Sequence, residues 1–95
     1  MTFNIHFTRE AAGQYQHLPK IKIKKVKRVL GYLQTNPRHP SLNTHVYHGY
    51  ENPFDSRGSV FEAYVENETP GAHRMFWCYG PKRGDITIIA IIPHP

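Results

Sequence analysis

The basic residues of this chain are gathered where they can neutralise phosphate. Between Lys20 and Arg28 six of nine positions are basic (Lys20, Lys22, Lys24, Lys25, Lys27 and Arg28), and no acid occurs between Glu10 and Glu51. On a helix such a run is costly. Lys20 with Lys24, Lys24 with Arg28, and Lys22 with Lys25 become like-charge neighbours, at roughly 0.2–0.5 kcal/mol each. Lys20 and Lys22 also fall in the first turn, where the helix dipole disfavours cations. A helix needing only solubility could mix signs. This field is aimed at a polyanion, with nucleic acid ahead of a merely solvated face.

Histidine supplies the second kind of chemistry, proton transfer near neutral pH. His45 and His48 stand in Asn43-Thr44-His45-Val46-Tyr47-His48-Gly49, and with Glu51 they have a conceivable metal-ligand spacing. The segment contains Gly49 and lacks a helical frame. There is no His-Glu-x-x-His and no cysteine pair, so neither a metal nor another cofactor is expected. Ser41, Ser56 and Ser59 have no nucleophile-elbow context. Cys78 lies inside an apolar run, where a structural thiol is the usual case.

Length bounds the rest. Ninety-five residues suit one domain over residues 1–95 with one small core. The net charge of +5 is unevenly spread, since Ala11 to Tyr50 holds seven Lys or Arg and no acid. A lone cysteine rules out a disulfide framework and points to a reducing cytoplasm. Nothing at the amino terminus resembles a signal peptide, and no apolar run approaches membrane-spanning length, so no membrane partner is expected.

The elements that must position these groups follow from periodicity. Thr2 to Phe7 alternates, with Phe3, Ile5 and Phe7 on one side, as a half-buried strand does. Thr8 suits a helix N-cap, with Glu10 in the first turn and Phe7 placed to staple onto Ala12. Ala11, Tyr15 and Leu18 give the first helix its apolar stripe, and Pro19 separates it from a second helix. There Ile23, Val26, Leu30 and Leu33 form the seam, the lysines take the other arc, and the helix ends near Asn36. Arg38 to Ser59 is irregular, with room for a short strand near Val46 at most. Three strands follow, Val60 to Val65, Ala72 to Tyr79 and Ile86 to Ile92, joined by turns over residues 66–71 and 80–85. The last is nearly all apolar and should be central and buried on both faces. The order β-α-α-β-β-β implies an α+β fold, a helical hairpin packed on a mainly antiparallel sheet.

Three segments then stand out in order: Gly58-Ser59-Val60-Phe61, His73-Arg74-Met75-Phe76-Trp77, and Ile88-Ile89-Ala90-Ile91-Ile92-Pro93-His94. With the element order, they resemble the RelE/ParE toxin superfamily of bacterial toxin–antitoxin systems, above all the RelE-like ribonuclease branch that includes YoeB. The resemblance covers the whole chain in element order and about its last third in residue detail. It implies a RelE-like fold and cleavage of messenger RNA, usually in the ribosomal A site. That reaction needs a base for the ribose 2′-hydroxyl, a fixed cation for the phosphoryl oxygens and an acid for the departing 5′-oxygen. The resemblance assigns the cation to Arg74 and the acid to His94. The competing readings are a cross-hairpin ion pair of Arg74 with Glu62 and a frayed terminal His94.

For the base the resemblance points to the loop or strand before the meander, where this chain offers His45, His48, Glu51, Asp55 and Glu62. Arg57 is a candidate second phosphate ligand. Lys82 and Arg83, on a hairpin turn, complete the basic residues expected to meet RNA. Three departures bear on activity more than on fold. Glu62-Ala63-Tyr64 stands where many relatives carry arginines, Pro95 stands where some end in an aromatic residue, and the loop from Pro37 to Gly58 is long.

The partners implied are messenger and ribosomal RNA and a cognate antitoxin whose acidic or amphipathic segment covers the same groove. Two alternatives share the fold. One is a ParE-like toxin directed at DNA gyrase. The other is a non-catalytic RNA-binding domain using the lysine helix with Tyr64, Trp77 and Tyr79.

Overall fold

A computed structural model describes residues 2–67 and 70–94. Its elements are β1 (Asn4–Phe7), α1 (Arg9–Gln16), α2 (Lys20–Thr35), a short 3-10 turn (Pro40–Leu42), β2 (His45–Val46), β3 (Phe61–Tyr64), β4 (His73–Tyr79) and β5 (Asp85–Pro93). The expected β-α-α-β-β-β order holds, with β2 as the short strand near Val46. The sheet order is β1-β5-β4-β3-β2. Among the described residues only the β1–β5 pairing is parallel. The result is α+β, two helices on a mainly antiparallel sheet.

The boundaries shift slightly from those read in the sequence. β1 begins two residues later than the alternation suggested, β3 loses one residue at each end, β4 begins one residue later at His73, and β5 reaches one residue further each way. α2 stops at Thr35, one residue before Asn36. The 3-10 turn was not foreseen, and it seats Leu42 in the core. Part of the turn over residues 66–71, namely Glu68 and Thr69, lies outside the described residues, as does Pro95.

Local chemistry explains why the helices start where they do. Thr8 caps α1 by accepting from Ala11 N at 3.1 Å, and its hydroxyl donates to Ile89 O at 2.9 Å. Phe7 packs on Tyr15, ring centroids 5.7 Å apart. Ala11, Leu18, Val26, Val29 and Leu33 then bury against Ala63, Val65, Met75, Trp77, Ile86, Ile88 and Ile91 on one face of the sheet. Val29 joins the α2 seam in addition to the four positions read from periodicity.

β5 is interior, as its composition required, and Asp85 to Ile91 are buried along it. Its register with β4 slips between Phe76 and Trp77. That bulge turns both Ile89 and Ala90 to the face away from the helices, where they pack with Val60, Phe76 and Cys78. Tyr47 and Tyr50 lie over Phe76 at 4.5 and 5.1 Å, so the long loop closes a second, smaller core. Buried Asn52 holds that loop, accepting from Phe54 N and Asp55 N and donating to Ser59 O.

Candidate active site

Strand register decides which polar side chains meet. Ala63, Val65, Met75 and Ile91 face the helices, so Glu62, Tyr64, Arg74 and Ile92 face the other way. His45 pairs with Glu62, Glu62 with Phe76, Tyr64 with Arg74, and Arg74 with Ile92. Neighbouring strands thus bring His45, Glu62, Tyr64 and Arg74 into one contact chain.

Its geometry is specific. Glu62 Oε1 meets His45 Nε2, while the other ring nitrogen of His45 lies 3.1 Å from Asn43 O. Glu62 Oε2 faces Arg74 Nε at 4.0 Å, and both side chains are almost fully buried, at 4% and 3% exposure. At that distance the charges attract without sharing a hydrogen bond. Neither atom has another hydrogen-bond partner among the described residues. Arg74 Nη1 donates to Glu66 O at 2.9 Å and His73 O at 3.2 Å, and the guanidinium carbon sits 3.7 Å from the centre of the Tyr64 ring. The His45 ring meets Tyr64 edge-on at 6.0 Å. Arg74 and Glu62 do pair, diagonally across the hairpin, and Tyr64 covers the arginine.

His94 occupies the far edge of the same face. Its backbone N donates to Ala72 O at 2.7 Å, extending the β4–β5 pairing one step past His73 and Pro93. It is exposed and follows Ile92, the partner of Arg74, by two positions. Near the Tyr64 edge, a shallow cavity of about 300 Å³ is lined by Lys25, Arg28, Ser41, Tyr64, Glu66 and Asn67. The basic helix therefore adjoins the polar cluster at the β3 edge, although it lies in the opposite layer.

The frame that carries this cluster has solved counterparts. The chain superposes on the archaeal RelE of a RelE–RelB complex from Pyrococcus horikoshii with TM-score 0.69 and 17% identity, over 98% of this chain and 96% of that one. A YoeB/ParE toxin from Agrobacterium tumefaciens gives 0.72 at 14% identity, covering 98% and 100%. The YoeB dimer from Staphylococcus aureus gives 0.66 at 19% identity, covering both chains fully. The chain has the RelE/ParE toxin fold. No protein-family model and no curated protein sequence matches it.

Within this toxin fold the remaining candidates separate. His48 and Arg57 line a different cavity of about 440 Å³, formed by the loop between Val46 and Val60, so His45 and His48 do not act at one point. Glu51 lines that same loop cavity, and Asp55 accepts from Arg57 N at 3.0 Å. Lys82 and Arg83 are exposed at the β4–β5 turn, past the far end of β4 and about 20 Å along the strand from Arg74. Their turn is held by Asp85, which accepts from Lys82 N and contacts His6. Burial opposes ionisation of Asp85, but His6, Asn4 and the Lys82 N–H lower its pKa overall. Burial pushes the Cys78 thiol up to about 11, which leaves it unsuited to attack as a thiolate.

The lysine run is also less free than its sequence suggests. Lys22 and Lys25 bind Glu66 at 2.5 and 3.2 Å, and His73 N donates to the same carboxylate at 3.0 Å. Burial works against ionisation of Glu66, yet the Lys22, His73 and Lys25 contacts prevail and hold it down to about 2. Lys20, Lys24, Lys27 and Arg28 are the exposed basic positions of α2 that make no such ion pair among the described residues. Sequence reasoning missed Glu66, which sits forty-four positions from Lys22. The available signal was that a basic helix lacking nearby acids must find a counter-charge from another element.

Proposed function

We propose that this chain is the toxin of a type II toxin–antitoxin pair and a metal-independent endoribonuclease that cleaves messenger RNA in the ribosome. The observation that carries the reading is the contact chain of His45, Glu62 and Arg74 on one sheet face, with His94 at its far edge. Lys25 and Arg28 stand at the opposite rim.

The 2′-hydroxyl attacks the adjacent phosphorus in line, and His45 accepts its proton. Arg74 supplies positive charge beneath the face, while Arg28 meets backbone phosphates. Direct contact of Arg74 with a phosphoryl oxygen requires the Tyr64 ring to swing aside. His94 protonates the departing 5′-oxygen, giving a 2′,3′-cyclic phosphate and a 5′-hydroxyl. Three strand-to-strand steps separate β2 from β5, and His94 lies four residues along the chain from Ala90, the β5 residue level with His45. The two backbones are therefore about 19 Å apart, which both imidazole side chains and a nucleotide must span together. A cognate antitoxin would cover this face. The RelE superposed above was crystallised with RelB, which supports such a partner.

The burial of Arg74 favours a second reading, a non-catalytic RNA-binding domain, because Nη1 is already given to two backbone carbonyls. Induced expression with primer-extension mapping of cellular messages, wild type beside His94→Ala, separates the two. Codon-phased cuts lost in the variant support the ribonuclease. Intact messages from both leave the passive binder, and DNA breaks with intact messages indicate a gyrase-directed toxin.

A further inference from the structure

A half-exposed histidine backed by a buried carboxylate, itself backed by a buried cation, is an arrangement that fixes how the ring is protonated. His45 is 49% exposed, Glu62 behind it 4% and Arg74 behind that 3%. Glu62 divides its oxygens between them: Oε1 goes to His45 Nε2, and Oε2 faces Arg74 Nε. A packing role alone leaves this costly, because replacing a buried ion pair with apolar groups of similar volume is often neutral or stabilising. The unpartnered Oε2 and Nε add to that cost.

We propose that Glu62 is a positioning residue for His45. It accepts the Nε2–H of the ring, selects that tautomer, and leaves Nδ1 as the nitrogen that takes the 2′-hydroxyl proton. The assignment of that proton rests on the ribonuclease reading above; the tautomer does not.

The surroundings of the ring fit this role. In the Nε2–H tautomer the Nδ1 lone pair points toward the Asn43 carbonyl oxygen, 3.1 Å away. Two facing acceptors repel, and the contact becomes an Nδ1–H···O=C hydrogen bond once Nδ1 has taken a proton, so the Asn43 carbonyl is placed to hold the ring after the transfer. Asn43 is held in place as the left-handed residue (φ 47°) that closes the 3-10 turn. Tyr64, edge-on to the ring, limits its rotation. Arg74 faces the second oxygen of Glu62 without touching His45, which makes it the anchor of the relay. The logic is that of a carboxylate holding a catalytic imidazole by the nitrogen that does not react. Here the roles of the two nitrogens are exchanged.

The test uses the full chain labelled with 15N-histidine. Long-range imidazole correlation spectra are recorded above the ring's titration, and His45 is assigned by the signal lost in His45→Gln. The wild type should show the Nε2–H tautomer. Glu62→Gln, whose amide can donate to Nε2, should shift the ring to Nδ1–H. In ribosome-dependent cleavage, Glu62→Gln should lower kcat at least a hundredfold with little change in KM. Should this variant fail to fold beside an uncompensated Arg74, Glu62→Gln combined with Arg74→Met removes both charges and carries the spectroscopic arm. An Nδ1–H ring in the wild type overturns the proposal, as does an unchanged tautomer with unchanged kcat in Glu62→Gln. A wild type that cleaves no RNA overturns the ribonuclease reading instead, and the tautomer then decides the positioning role on its own.

Discussion

The guanidinium of Arg74 lies over the ring of Tyr64, its central carbon 3.7 Å from the ring centroid. The contact joins directly opposed residues of β3 and β4, and it covers a cation whose Nη1 donates to two backbone carbonyls. Cation–π contacts of this kind contribute about 1–2 kcal/mol when partly desolvated. Tyr64→Phe keeps the ring and should melt like the wild type. Tyr64→Ala should lose about 2 kcal/mol in urea denaturation, through the lost stacking and the wetting of Arg74.

Glu62 and Arg74 should behave as one unit. Removing either partner leaves a buried charge uncompensated, at about 3–5 kcal/mol. Removing both should cost far less than the sum. A double-mutant cycle on Arg74→Met and Glu62→Gln, read by chemical denaturation, measures the coupling. Additive losses would mean that the 4.0 Å approach carries no energy.

Glu66 gives the fold an acid-sensitive tie between α2 and the β3–β4 turn. Its folded pKa of about 2 lies below the ordinary 4.5. The carboxylate therefore stabilises the fold fully above pH 4.5, and the contribution drains away as pH falls toward 2. The loss should approach about 2 kcal/mol, allowing for screening at the half-exposed Lys25. Glu66→Gln should flatten stability against pH across that window, and Lys22→Met should reproduce much of the effect.

The lysines should divide by what holds them. Lys20, Lys24 and Lys27 are exposed and make no Glu66 contact, so changing each to Ala should leave the melting temperature nearly unchanged. Each should reduce the salt dependence of RNA binding by about one phosphate contact. Lys22→Ala should instead destabilise the fold. Fluorescence anisotropy over a salt series separates the two groups.

Much of the architecture could be read from periodicity. Thr8 and Pro19 marked the helix starts, Ile23, Val26, Leu30 and Leu33 marked the buried seam, and the apolar run before Pro93 marked an interior strand. Those signals are local. The contacts of the candidate site are not. Glu62 faces Arg74 and His45 only because of strand register, which depends on a turn across residues 66–71 and on a loop that brings β2 back to β3. Tyr64 over Arg74 and Glu66 between two lysines depend on the same registers. The parallel placement of β1 beside β5 likewise joins the two ends of the chain, which no local pattern encodes. His94 is marked by a resemblance rather than by its surroundings, because an exposed residue past the end of a strand carries no packing signal.

The most direct test is single-turnover cleavage of a messenger RNA in programmed ribosomes by the purified chain. Wild type is compared with His45→Ala and His94→Ala, and the new ends are identified chemically. The account predicts 2′,3′-cyclic phosphate and 5′-hydroxyl ends at the A-site codon, with cleavage lowered at least a hundredfold in each variant while thermal stability is kept. Full-length message after prolonged incubation with the wild type would contradict it, as would cleavage unchanged in both histidine variants.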